Sequence, residues 1–200
     1  MAEAAYDIGP LPVGAKGHNS TGWWGVLCLI ATEACLFSYL LFSYFYIAIQ
    51  RGPAWSPEPS PPLTLAGPNT LILLASSVAA WWGEEGAKRG HRGRQLAGLA
   101  LAIVLGSVFL VIQLLEWRAK PFGPTDGSYG SLYFTITGFH MAHVIVGLLM
   151  LLAMLGWSAL GAFRPRRHEP VSNVVVYWHF VDVVWLAVFS TFYLSPYLMR

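Results

Sequence analysis

The chain alternates five long apolar runs with short segments that are charged or rich in proline and glycine. The runs extend over about Trp23 to Ile49, Asn69 to Trp82, Gln95 to Trp117, Tyr129 to Phe163 and Ser172 to Tyr197. A helix needs about 20 predominantly apolar residues to cross a bilayer core of about 30 Å. All but the second run reach that length. Membrane-spanning strands would instead alternate apolar and polar positions over segments of about ten residues, and these runs are longer and continuously apolar. The pattern therefore predicts an all-α membrane protein, a bundle of five transmembrane helices. An N-terminal tail, residues 1–21, precedes a single transmembrane domain formed by residues 22–200.

The connections support this division. Gly52-Pro53-Ala54-Trp55-Ser56-Pro57-Glu58-Pro59-Ser60-Pro61-Pro62 is too rich in proline to be helical. Gly83 to Arg94 carries Glu84, Glu85, Lys88, Arg89, Arg92 and Arg94 and reads as a solvated loop. Pro121-Phe122-Gly123-Pro124-Thr125-Asp126-Gly127 forms a turn, and Arg164-Pro165-Arg166-Arg167 a basic loop. The tail lacks a basic start followed by an apolar stretch, so the first helix is expected to act as its own insertion signal.

Composition sharpens the picture. Only 11% of the 200 residues are charged, against roughly 25% in a soluble domain. The net charge of +2 is dispersed over loops, which excludes the concentrated basic face a nucleic-acid binder needs. Lys16, Lys88, Arg89, Arg92, Arg94, Arg164, Arg166 and Arg167 fall on one side of a five-span topology, and Arg51, Arg118, Lys120 and Arg200 on the other. The positive-inside rule then puts the N-terminus in the cytoplasm and the C-terminus outside. Cys28 and Cys35 lie two helical turns apart, about 10 Å, too far for a disulfide, and read as small packing residues.

Small residues recur every fourth position at Ala75, Ala79 and Gly83, and at Gly98, Ala102 and Gly106. That spacing lets helix backbones approach closely in lipid. Trp23, Trp24, Trp81, Trp82, Trp117, Tyr129, Tyr177 and Trp178 gather toward the ends of the runs, where aromatic belts form.

Ionisable groups within a span are costly and need a partner, water or a purpose. Glu33 lies among Leu29, Ile30, Leu36 and Phe37. It reads equally as a proton-handling carboxylate and as a protonated acid bonded to a neighbouring helix. Gln113 and Glu116, His140 and His143, and His179 and Asp182 are each three residues apart and so share a helix face. Two histidines at that step, with His179 as a third, could ligate a metal or supply an axial ligand to haem. Interhelical hydrogen bonding is the simpler use of such groups, with Asp182 suited to an imidazole. Glu84 and Glu85 read as part of a solvated face, and Glu116 as a wet or paired carboxylate near an interface. No catalytic constellation and no metal site emerge.

At these residues the chain resembles a known family, subunit III of the haem-copper oxidases, the group that includes cytochrome c oxidase and bacterial quinol oxidases. The resemblance rests first on Tyr177-Trp178-His179-Phe180-Val181-Asp182-Val183-Val184-Trp185-Leu186. It rests also on Asp126-Gly127-Ser128-Tyr129-Gly130-Ser131 followed by Thr137-Gly138-Phe139-His140-Met141-Ala142-His143-Val144. Thr32-Glu33-Ala34-Cys35-Leu36-Phe37, the stretch Asn69 to Ser77, and Gly106 and Phe109 with Gln113 and Glu116 agree in order.

The resemblance implies an accessory core subunit without redox cofactors of its own. Haem and copper would reside in partner subunits. The chain would contact catalytic subunit I directly, sit with subunit II, bind phospholipid, and sustain proton uptake and turnover. A supercomplex with a cytochrome c reductase is a further option. Glu33 matches the family's buried first-block carboxylate, expected near the proton and oxygen routes. Gln113, Glu116, His140, His143, His179 and Asp182 would be structural or lipid-related polar positions. Longer members carry two further helices that form a V-shaped, lipid-filled cleft; this chain is expected to start after them, with the cleft open or completed by another chain. Pro170-Val171-Ser172-Asn173-Val174 lacks the acid often found there, so no role of that acid is carried over. Five spans, and a bias to alanine, glycine and arginine, point to a bacterial plasma membrane. Two other functions stay open: an accessory protein of nitric oxide reductase, and an autonomous proton-coupled transporter using Glu33, His140, His179 and Asp182. Transporters usually show internal repeats with interrupted helices, and neither is visible here.

Overall fold

A computed structural model describes residues 21–52, 55, 63–161 and 169–198. The tail up to residue 20 with Lys16, most of the proline-rich loop, the basic loop Arg164-Pro165-Arg166-Arg167, and Arg200 lie outside the described residues. Five long helices follow one another: α1 Thr21–Arg51, α2 Leu63–Lys88, α3 Arg92–Ala119, α4 Gly127–Ala159 and α5 Glu169–Phe189. A π-helical turn, Ser190–Leu194, and a short helix α6, Ser195–Leu198, continue α5. Each of the five is long and apolar enough to cross a membrane, and the architecture is an all-α membrane bundle.

The interior lies between four of them. α2 packs along α3, α3 on α4, α4 on α5, and α5 closes back onto α2, while α1 lies outside in the groove between α4 and α5. Within α1 only Phe37 and Tyr44 are buried; Trp24, Leu29, Tyr39, Phe42, Tyr46 and Ile49 are exposed. Cys28 and Cys35 are free and exposed, so they do not pack within the chain as their reading supposed. α1 is a peripheral helix whose outer flank leaves them uncovered.

The main departure from the sequence reading is α2, which outgrows its predicted run at both ends. Pro68 lies inside it, close enough to the start that one early carbonyl alone loses its amide partner. At the other end Gly83 and Gly86 fall in the stretch expected to form a loop, yet both are helical and are contact surfaces for α3. A Cβ on Gly83 would come 3.1 Å from the Leu99 nitrogen, and one on Gly86 2.7 Å from the Gln95 nitrogen. Glu84 and Glu85 are therefore helical rather than part of a loop. Glu84 is buried and pairs with Lys88 at 2.7 Å, while Glu85 pairs with Arg89 at 2.8 Å. The turn into α3 closes at Gly90, whose φ of 74° suits a residue without a Cβ.

The small-residue pattern is used selectively. Gly98 meets α2 so closely that an added Cβ would stand 2.5 Å from the Gly83 Cα and 2.8 Å from the Ala79 carbonyl oxygen. Ala75, by contrast, is exposed, and Gly106 makes room for Trp178 rather than for a backbone. The predicted aromatic belt divides likewise. Trp24, Trp81 and Trp82 are exposed, whereas Tyr129, Tyr177 and Trp178 are buried in the core.

Candidate functional site

Three polar contacts fasten α5 to α2. Trp178 donates its indole N–H to Ser76 Oγ at 3.0 Å, Trp185 donates to Thr70 Oγ1 at 2.9 Å, and Ser77 Oγ meets His179 Nδ1 at 2.8 Å. Ser76 and Thr70 give their own protons to carbonyls of their helix, Leu73 and Ala66, which leaves lone pairs free to accept. In a bilayer an unpaired indole N–H has no water to turn to, so tryptophan and hydroxyl are needed together. The Trp178 ring fills the centre of the bundle. Cβ atoms built on Gly106 and Gly147 would lie 2.8 and 2.7 Å from it.

His179 therefore bonds serine, and no hydrogen bond joins it to Asp182, the partner expected from its own helix. Asp182 is buried, and its carboxyl stands near the same Ser77 hydroxyl without closing a hydrogen bond of ordinary geometry.

α1 is tied to the bundle by a different pair. Glu33 Oε2 lies 2.9 Å from His143 Nε2. The other ring nitrogen, Nδ1, lies 2.7 Å from the Phe139 carbonyl oxygen, which can only accept, so Nδ1 carries a proton. The contact with Glu33 then needs one more proton. Either a neutral carboxylic acid donates to Nε2, or an imidazolium faces a carboxylate. In both forms the pair is neutral overall and holds one proton beyond a carboxylate and a neutral imidazole. Phe37 sets its ring edge-on to His143, with centroids 5.1 Å apart. The pair is only partly covered, with His143 15% and Glu33 26% exposed.

His140, one turn back on α4, points elsewhere. It is fully buried, lies 5.0 Å from the Trp185 ring at 30°, and has no hydrogen-bond partner at either nitrogen among the described residues. The three histidines thus face three different neighbours. Among the described residues no group of three or more His, Cys, Asp or Glu side chains is placed to hold a metal ion.

A further cluster closes the end of the bundle near the α3–α4 turn. Glu116 Oε1 accepts from Lys120 Nζ at 2.8 Å and from the Tyr193 hydroxyl. Tyr133 in turn gives its proton to the Tyr193 oxygen at 3.3 Å. The Lys120 ammonium also stands 5.2 Å from the Tyr133 ring and 5.3 Å from the Tyr193 ring, within cation–π range. The reading of Glu116 as paired is right in kind, but the pair is buried, with side chains 10% and 9% exposed.

Sequence reasoning passed over Lys120 and Tyr193. The π turn that carries Tyr193 has a local cause. Pro196 offers no amide hydrogen, the Ser195 N–H reaches back to the Ser190 carbonyl, and Ser190, Thr191 and Ser195 bond carbonyls one turn behind them. The sequence Ser190-Thr191 followed by Ser195-Pro196 was the available signal.

Comparison with known proteins adds to this geometry. A family model described as "Cytochrome c oxidase subunit III" matches residues 15–197. The chain is 34% identical to cytochrome c oxidase subunit 3 of Locusta migratoria over 177 residues, covering 85% of this chain and 67% of that protein. It is 33% identical to the subunit 3 of Petromyzon marinus, covering 85% and 68%. With that of Papio hamadryas it shares 33% identity over 190 residues, covering 89% and 73%.

Proposed function

The chain belongs to the cytochrome c oxidase subunit III family, and from that premise we propose that it supports the catalytic subunit of a terminal oxidase without performing the redox chemistry itself. Haem and copper belong, on this reading, to partner subunits I and II, and this chain supplies a membrane flank that stabilises the catalytic subunit and helps to sustain its proton uptake.

The observation that carries the reading is the half-covered Glu33–His143 pair. It lies well inside α1 and α4, far from either end of both helices. A polar pair facing hydrocarbon at that depth is costly, and a neighbouring subunit that covers it removes the cost. Because the pair holds one mobile proton, a charge change in that neighbour can shift the proton from carboxyl to imidazole without altering the pair's net charge. Glu33 is thereby the proton-linked carboxylate. His143 is its partner, while His179, Gln113, Glu116, His140 and Asp182 serve the packing and polar interior. The exposed flank of α1 suits phospholipid where the partner leaves it bare.

The distribution of basic residues supports an N-terminus in the cytoplasm and a C-terminus outside, and composition supports a bacterial plasma membrane. Leu29 and Val146 flank the pair on α1 and α4, and both are exposed. A photo-crosslinking residue at either position, in the complex purified from its own membranes, is expected to capture the catalytic subunit. Capture of lipid alone at both positions would remove this face as the subunit contact.

A further inference from the structure

The interior enclosed by α2 to α5 holds more hydrogen-bonding capacity than its side chains use. Gln113 and His140 are 0% exposed, yet neither ring nitrogen of His140 has a partner among the described residues, and the Gln113 amide, which stands beside the Tyr133 hydroxyl, closes no hydrogen bond of ordinary geometry there. Asn69 Oδ1 and Glu116 Oε2 are also buried and make no hydrogen bond among the described residues.

These groups follow one another through the bundle. Asn69 gives an amide proton to the Phe109 carbonyl at 3.4 Å, which directs its oxygen away from that bond. The Phe109 ring meets His140 edge-on, with centroids 6.1 Å apart. Gln113 and Glu116 succeed Phe109 on the same face of α3, and all three are buried. Tyr133, Thr137 and His140 are buried along the facing side of α4.

The chemistry of the set selects its ligand. The Gln113 amide donates two hydrogens and accepts, a neutral imidazole donates one and accepts one, and Asn69 Oδ1 and Glu116 Oε2 accept. An anion would meet the Glu116 carboxylate, and a metal ion would meet donor hydrogens of the amide and the ring. A ligand that both donates and accepts, and is small enough for a packed helical interior, is water, which typically makes two to four bonds in such sites. We propose that Asn69, His140, Gln113 and Glu116 hold a line of internal water molecules, ending at the buried Glu116–Lys120 pair. This does not rest on the oxidase role, since it concerns the interior of this chain alone.

The test is a density map, at about 2 Å or better, of the membrane complex containing the full chain, with a second map of the complex carrying Gln113→Met. Peaks within about 2.7–3.2 Å of the Gln113 amide and a His140 ring nitrogen, with the peak at Gln113 lost in the variant and the one at His140 retained, are expected. A wild-type map in which Gln113 and His140 have turned onto protein groups, with no peak beside them, would overturn the proposal. The wild-type map decides by itself if the variant fails to assemble.

Discussion

Replacing Glu33 by Gln keeps the shape of the side chain and leaves an amide N–H to donate to His143 Nε2, but removes the exchangeable carboxyl proton. The contact at 2.9 Å is then held by a fixed donor, so assembly is expected to survive while turnover falls by less than about tenfold, or about 1.4 kcal/mol of activation free energy. Oxygen consumption by the purified complex checks this; complete loss with normal assembly would rule out an accessory role. Lys120→Met is a harsher change. It leaves Glu116 buried with only Tyr193 to oppose it, and breaking one side of a buried pair costs about 3–5 kcal/mol. Adding Glu116→Gln removes the orphaned charge, so the double variant should recover most of the loss in a thermal unfolding series. Glu33, His143 and Glu116 were visible in the sequence, because charge inside an apolar run is rare, whereas Lys120 and Tyr193 were passed over. The partners were not visible. His143 lies 110 residues from Glu33, and no local spacing points from one to the other, whereas in the pair that spacing did suggest, His179 with Asp182, the imidazole turned to Ser77 on α2.

Hydrophobic runs predicted four of the five long helices to within a few residues of their starts, since the bilayer demands a minimum apolar length and little else. α2 was misjudged because the charges between Gly83 and Arg94 were read as a solvated loop. The close approach expected of small residues is present at Gly83 and Gly98, joined by Gly86, and these three glycines define how closely α2 and α3 meet. Gly98→Ala must force apart two backbones with no flexible side chain to yield, so it is expected to destabilise the bundle by about 1–3 kcal/mol. Thermal unfolding in detergent of Gly98→Ala beside Gly93→Ala, where an added Cβ meets nothing within 4 Å, measures that cost against an unstrained control. The π turn was illegible for a different reason: it arises from a proline acting together with hydroxyl groups, and the hydrophobic period passes through it unchanged.

Four helices form a closed interior pinned by Trp178 and Trp185, and the fifth, α1, leans on it through Glu33 and a few aromatic contacts. Such a molecule has an outer helix whose flanks need other molecules, which is the form expected of a subunit. Its family membership was legible from the blocks around Trp178, Asn69 to Ser77 and Gly106 because those blocks contain packing devices themselves: the indoles of α5, their hydroxyl partners on α2, and a glycine that receives Trp178. If the chain is a core subunit of a terminal oxidase, it should not leave its membrane alone. A mild-detergent pull-down of the tagged chain from its own membranes, read by a reduced-minus-oxidised difference spectrum, measures this directly. Haem bands of an oxidase together with a catalytic subunit in the eluate are the predicted result; a colourless eluate free of partners would contradict it.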